Sequence, residues 1–260
     1  MTGIALWLLL IGVVDLVRGG RDATQPARLG ALAGVAALGS LLLAVLLRPI
    51  GLGWLAWVLA ALAGGGWVLG SGVAVARFAG GVVPRVPARV TAVVAASVAY
   101  VSIGVGAAAL LLAGPVAGAA PWLTAMLADS GLASIPPERT LAIVALLVVQ
   151  ISTVNVLVRL LLDLVGVPAS DNEKTLRGGR VLGPMERLMI IGLGAAGALI
   201  GAAFVVAAKS ILRFPELRVP RAGDPGYGGP SDVTEYFLVG SLASWLAALG
   251  SVGLILLTPG

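Results

Sequence analysis

Long apolar stretches, separated by shorter polar or proline-rich connections, run through the whole chain. A helix needs about 20 apolar residues to cross a hydrocarbon core of roughly 30 Å. Seven stretches approach this length, at about 3–17, 29–47, 52–76, 90–113, 140–165, 185–208 and 234–257. We therefore predict an all-α fold, a polytopic transmembrane helix bundle of about seven spans that forms one integral membrane domain over residues 1–260.

The first stretch is the shortest and carries Asp15 near its end. A cleaved signal peptide is the alternative to a retained helix. No basic residue precedes this apolar run and its arginines, Arg18 and Arg21, follow it, which is the reverse of a signal peptide. The pattern favours a retained helix.

Three connections are long enough to hold structure of their own. Segment 114–139 is apolar but interrupted by four prolines, which predicts an interfacial or re-entrant segment anchored by Trp122. Segment 166–184 is polar and glycine-rich, and segment 215–232 contains four Pro and four Gly. Both are predicted to be polar loops.

The tetrapeptide RGGR occurs at 18–21 and again at 177–180, each time after a span that ends in an acidic residue. This pattern suggests a weak 3+1+3 internal repeat, with spans 1–3 and 5–7 as the copies and span 4 between them. Coincidence in a chain with 37 Gly is the alternative explanation.

Composition agrees with a membrane protein, since 59% of residues are hydrophobic and 11% are charged, against roughly 25% charged residues in soluble domains. The basic clusters between spans favour an outside N-terminus. Lys209, Arg213, Arg218 and Arg221 then fall on the outer side and argue against this orientation. The net charge of +5 is assigned to topology and anionic lipid headgroups, so no nucleic-acid partner is predicted.

The absence of Cys and His excludes disulfides, thiolate nucleophiles, His-ligated haem or zinc, and a Ser–His–Asp triad. Proton chemistry must use Asp, Glu, Tyr or the two Lys. We predict no cofactor and no metal site, and the sequence does not favour an enzyme.

The fifth span is the most polar. Ser152, Asn155, Arg159 and Asp163 follow at helical spacing and share one face, which should point into the bundle because charge is costly in lipid. A local Arg159–Asp163 pair with interhelical hydrogen bonds is the simpler explanation.

Further polar residues mark the ends of spans six and seven. We predict one candidate binding or relay cluster, made of Asn155, Arg159, Asp163, Glu186, Arg187, Lys209, Arg213, Glu235 and Tyr236. The alternative is that the charges near helix ends only complement helix dipoles.

The sequence KTLRGGR at 174–180 places Lys174, Arg177 and Arg180 around two glycines. This arrangement suggests contact with a phosphate or lipid headgroup. It lacks the spacing of a Walker nucleotide-binding loop.

Small residues at GxxxG spacing predict close helix packing. In the sixth span Gly194, Gly197 and Gly201 are expected to share one helical face. Such faces serve packing within the bundle, a homo-oligomer, or docking of a partner membrane protein.

From Gly178 to the end, the order GGR, Gly183-Pro184, Glu186-Arg187-Leu188, AAKS, Arg213-Phe214, EYFL and GSL resembles the C-terminal region of an uncharacterised bacterial family. Its members are multi-pass membrane proteins carrying a domain of unknown function. The resemblance implies a bacterial inner-membrane location and a polar cluster that joins spans six and seven. It implies no substrate.

The functional hypothesis is an integral membrane protein that binds or moves a small solute or ion through the polar cluster on spans 5–7, with membrane lipids as its partners. One alternative is a non-catalytic scaffold that docks a partner through its glycine-rich faces and the 166–184 loop. Another is a lipid-modifying enzyme that uses Glu186, Lys209 or Glu235 as acid and base.

Overall fold

The structure is a computed structural model that describes residues 2–19, 25–78, 86–113, 125, 135–166, 179–217 and 232–258. Over these residues it contains helices and no strands, which confirms the predicted all-α class. The nine helices are α1 Thr2–Arg18, α2 Pro26–Leu47, α3 Gly53–Phe78, α4 Val86–Leu112, α5 Pro137–Ile151, α6 Thr153–Val165, α7 Gly179–Ala195, α8 Leu199–Leu217 and α9 Asp232–Leu257.

Four described helices, α2, α3, α4 and α9, are long and apolar enough to cross a membrane. The bent pair α5 and α6 makes a fifth if it is one span. Seven spans are therefore not confirmed. The chain forms two compact units, unit 1 with residues 1–156 and 257–260, and unit 2 with residues 157–256.

Helix α1 is the central helix of unit 1, because it contacts α2, α3, α4 and α5. Trp7 and Ile11 of α1 are fully buried, and Ala5 packs in a cluster with Leu141 and Ala145 of α5. The segment considered as a signal peptide is thus part of the packing of unit 1.

The helices of unit 1 alternate in direction. Trp7 of α1 forms a hydrogen bond with Ala60 of α3, and Asp15, later in α1, forms one with Trp67, later in α3. Helices α1 and α3 therefore run parallel. Gly66 of α3 lies against Ser102 of α4, and Gly70, one turn later in α3, lies against Ala95, which is earlier in α4. Helix α4 therefore runs antiparallel to α3. Helix α5 runs parallel to α1. The end of α4 and the start of α5 therefore lie at the same end of unit 1.

Glycine allows the closest contact between α3 and α4. A Cβ atom on Gly70 would lie 2.8 Å from the Ala95 carbonyl oxygen and 3.0 Å from the Ala99 backbone nitrogen. Both neighbours are backbone atoms and cannot rotate away. The contact is of the small-residue type that holds membrane helices together.

We predict that Gly70→Ala lowers the free energy of unfolding by about 1–3 kcal/mol, because the added methyl group forces α3 and α4 apart. Gly30→Ala in α2 is the matched control, since no atom outside its own helix lies within 4 Å of the new Cβ. The control should be neutral or stabilising by up to about 1 kcal/mol. Unfolding in mixed micelles, followed by circular dichroism, measures both; equal stability of the two variants would contradict the prediction.

The fifth predicted span is not one continuous helix. It bends by 41° between α5 and α6. At the bend the Ser152 hydroxyl donates to the Val148 carbonyl at 2.8 Å, a back-bond that bends helices. The Asn155 backbone N–H bonds to Ser152, and the Asn155 side-chain amide donates to the Ile151 carbonyl at 2.7 Å.

The sixth predicted span is also broken, and the expected shared face of Gly194, Gly197 and Gly201 is wrong. Gly197 has a φ of +77°, and the Ala198 and Gly197 N–H groups bond to the carbonyls of Leu193 and Gly194 at 2.8 and 3.0 Å. This is a Schellman motif, in which glycine ends a helix in the left-handed conformation. The chain then restarts as α8.

Other predicted boundaries need correction. Helix α7 begins at Gly179, within the predicted loop 166–184, and contains Pro184 in its interior. Helix α8 extends to Leu217, beyond the predicted end of span six and into segment 215–232. Most of segments 114–139, 166–184 and 215–232 lies outside the described residues. Both RGGR sequences extend beyond them too, so the repeat stays a prediction.

Candidate functional site

Two predicted site residues, Glu186 and Arg187, lie buried in α7 of unit 2, with 6% and 2% of their surface exposed. The Arg187 Nη1 donates to the Ser244 hydroxyl of α9 at 2.8 Å. Glu186 attracts the Arg187 guanidinium electrostatically. A buried cation thus has an adjacent anion and a hydroxyl acceptor.

Helix α7 meets α9 again two turns beyond Arg187. A Cβ atom on Gly194 would lie 2.5 Å from a methyl carbon of Val252, so the two helices meet closely there. A Cβ atom on Gly183, one turn before Arg187, would lie 3.6 Å from the Arg187 guanidinium. A methyl group at Gly183 would therefore make only ordinary van der Waals contact with the guanidinium.

Arg159 and Asp163 form a local pair on α6. The Arg159 Nε lies 4.0 Å from Asp163 Oδ2, one helical turn away. The Asp163 side chain is buried, whereas about a third of the Arg159 side chain is exposed. Gly240 of α9 lies against Leu162 and Val158 of the same helix, so α6 and α9 also pack together in unit 2.

Asn155 is exposed, and its amide bonds to the backbone at the α5–α6 bend. The predicted common face of Ser152, Asn155, Arg159 and Asp163 assumed one straight helix. Because the chain bends at Ser152, the first two residues serve the bend.

The other predicted site residues lie in α7, α8 and α9 or outside the described residues. Glu235 is exposed near the start of α9. Lys209 and Arg213 lie in α8, Tyr236 in α9 and Arg180 in α7, and their side chains lie outside the described part of the structure. Lys174 and Arg177 lie outside the described residues.

A second buried polar group, between α1 and α3 of unit 1, was not among the predicted site residues. The Asp15 carboxylate accepts a hydrogen bond from the Trp67 indole N–H at 2.9 Å and lies 3.4 Å from Arg18 Nη2. The Arg18 Nη1 donates to the Ser71 hydroxyl at 2.7 Å. Ser71 in turn donates to the Trp67 carbonyl at 2.6 Å.

This group is enclosed by protein. The Asp15 side chain has no exposed surface and that of Arg18 is 5% exposed. Trp67 and Ser71 are fully buried. The sequence spacing could have indicated this polar group. Asp15 and Arg18 are one helical turn apart on α1, and Trp67 and Ser71 are one turn apart on α3. Arg18 follows the predicted first span of 3–17, whereas in the structure it is the last residue of α1 and is buried.

Neither group resembles a metal centre. The described residues contain no cluster of three or more His, Cys, Asp or Glu side chains. Both groups pair an arginine with one carboxylate and a serine hydroxyl, which together can hold an anion, a polar solute or a proton.

The described helices place the chain in the class of α-helical proteins with several helices suited to crossing a membrane. No protein family, no curated protein and no solved structure matches the chain.

Proposed function

We propose that this protein is an integral membrane protein that binds and moves a small polar solute or ion through the polar groups of α6, α7 and α9. The observation that carries the proposal is the burial of Arg187 inside α7, with its guanidinium bonded to Ser244 of α9. Ser244 lies in α9, a helix suited to crossing a membrane. A charge at mid-membrane costs at least about 2.5 kcal/mol, and charges kept at that depth commonly line substrate or ion pathways.

The broken helices support the same function. Transporters often interrupt helices at the binding site, because the free helix ends and unwound backbone offer polar groups to a substrate. In unit 2 the chain interrupts one apolar stretch at Gly197, where α7 ends and α8 follows. The loss of a continuous glycine face in α7 and α8 removes the feature on which the scaffold alternative depended for that span.

We further propose a bacterial inner membrane as the location, with membrane lipids as partners, and membership of the uncharacterised family that the C-terminal residues resemble. In unit 1 the exposed Arg28, Arg77 and Arg89 lie at one end of the helices. By the positive-inside rule that end is cytoplasmic.

The test is solute entry into proteoliposomes. Vesicles that contain the full chain are mixed with a concentrated solution of one test solute: a chloride, phosphate, acetate or sodium salt, or glycine. Light scattering follows the reswelling of the vesicles, which reports entry of the solute. We predict that at least one solute enters faster than into protein-free vesicles. Ser244→Ala should slow that entry by about tenfold, because it removes a hydrogen bond to a charged group.

Arg187→Gln should abolish the entry, and Arg77→Gln, at an exposed arginine of α3, is the matched control that should leave it unchanged. Size-exclusion chromatography and circular dichroism establish that each variant is folded. The proposal fails if no solute in the panel enters faster than into empty vesicles, or if the folded Ser244→Ala protein transports normally.

A further inference from the structure

Asp15 is a buried ionisable group that the proposed function does not use. It lies in unit 1, at the level of Trp67 and Ser71 of α3. Ser71 is seven residues before the end of α3 at Phe78, or about 10 Å at 1.5 Å per residue. The carboxylate therefore lies inside the helix bundle and not at its surface.

The protein compensates the Asp15 anion only in part. Oδ2 receives the Trp67 hydrogen bond, while Oδ1 lies 3.4 Å from Arg18 and has no hydrogen-bond partner. The other terminal nitrogen of Arg18 is directed to α3, where it bonds to Ser71 at 2.7 Å and approaches the Val68 carbonyl at 3.4 Å. A carboxylate offers about four acceptor positions, so most of them are unfilled here.

A hydroxyl group lies beside the carboxyl group. Thr153, the first residue of α6 after the bend, is fully buried. Its Oγ1 neighbours the Asp15 carboxyl group without forming a well-oriented hydrogen bond. A hydroxyl can donate to a carboxylate or accept from a protonated carboxyl group, so this neighbour suits both forms of Asp15.

The charge environment favours a proton over a metal cation. Arg18 is the charged group that acts on Asp15 among the described residues, and a metal ion at Oδ1 would be repelled by it. The groups that face Asp15 from α3 and α6, namely Trp67, Ser71 and Thr153, are neutral. The other described charges on α2, α3, α4 and α5, the helices packed against α1 in unit 1, are exposed at the same end of unit 1 or lie at its opposite end: Arg28, Arg77, Arg89, Arg48, Glu138 and Arg139.

We propose that Asp15 is a proton-binding site of unit 1, in which the protonated carboxyl group donates a hydrogen bond to the Thr153 hydroxyl at the start of α6. A hydronium ion transfers one proton to Oδ1, its O–H bond breaks and water is released, no other covalent bond changes, and the pair of Asp15 and Arg18 goes from neutral to a net charge of +1. Because Thr153 follows the α5–α6 bend directly, proton binding adds a contact at that bend. Asp15, Arg18 and Thr153 all lie in unit 1.

Infrared difference spectroscopy between acidic and neutral buffer tests the proposal on the full chain in lipid. The expected result is a carboxylic-acid C=O band that shifts in deuterium oxide and is lost in Asp15→Asn. Glu138→Gln, at a partly exposed carboxylate at the start of α5, is the control and should retain the band.

Thr153→Val gives a second test that does not depend on the folding of Asp15→Asn. The valine keeps the shape of threonine, and the Thr153 hydroxyl forms no well-oriented hydrogen bond in the structure. The band should move to higher frequency because its hydrogen bond is gone, and Thr153→Ser should restore it. A wild-type protein without such a band wherever it is folded, a band that persists in folded Asp15→Asn, or an unshifted band in Thr153→Val would each overturn the proposal.

Discussion

Replacing Asp15 with alanine is expected to lower the free energy of unfolding by about 3–5 kcal/mol, because it leaves the buried Arg18 without its anion. The two side chains are 0% and 5% exposed, so water cannot replace the lost partner. The substitution also leaves the Trp67 indole N–H without its acceptor. Unfolding in mixed micelles, followed by tryptophan fluorescence and circular dichroism, measures the loss.

A double substitution distinguishes the cost of leaving Arg18 buried without an anion from the contribution of the ion pair itself. Asp15→Leu with Arg18→Met removes both charges and keeps apolar volume, and buried ion pairs replaced in this way are often as stable as the original. We expect the double variant to be clearly more stable than Asp15→Ala. Glu138→Gln controls for the loss of a carboxylate alone. An Asp15→Ala protein as stable as the wild type would show that the ion pair contributes nothing.

The helix positions could be predicted because they depend on one property, the length of an apolar run. Each predicted span overlaps a helix of the structure, for example 29–47 with α2 Pro26–Leu47 and 234–257 with α9 Asp232–Leu257. The lipid bilayer imposes this relation between apolar length and helix, because a spanning segment must satisfy its backbone N–H and C=O groups with internal hydrogen bonds. Length and hydropathy therefore predicted where helices are.

The two breaks could not be predicted from the same property. Gly197 stands in an apolar run with other glycines, and its sequence context does not distinguish a packing contact from a helix end with φ of +77°. Ser152 and Asn155 are polar, which suggested a functional face. Their side chains bond to the Val148 and Ile151 carbonyls at the bend. Local conformation at glycine and serine depends on tertiary contacts that a single sequence does not contain.

The polar groups were predicted unevenly for a related reason. Glu186 and Arg187 stood out because they are adjacent charges beside an apolar run, and the partner Ser244 did not, since α9 has several serines. Arg18 was assigned to a basic connection because it follows the apolar run. Its contacts in α3 are the Val68 carbonyl and the Ser71 hydroxyl, 50 and 53 residues away along the chain.

The largest packing effect is expected at Trp7. Its side chain is fully buried, and its indole N–H donates to the Ala60 carbonyl of α3 at 3.1 Å. The ring fills the space beside Gly106 of α4, where a Cβ atom would lie 2.6 Å from two ring carbons. Trp7→Ala should lower the free energy of unfolding by about 3–5 kcal/mol, because a cavity opens between three helices.

Gly106→Ala tests whether that cavity is the cause. In the wild type the new methyl group collides with the Trp7 ring and with the Ala63 Cβ, 2.9 Å away. It should therefore destabilise by about 1–3 kcal/mol. In the Trp7→Ala background the ring collision is absent and the methyl group fills part of the cavity, so the same substitution should cost less. Equal costs in the two backgrounds, measured by unfolding in mixed micelles, would mean that Trp7 and Gly106 are not in contact, and would contradict the central position of α1 in unit 1.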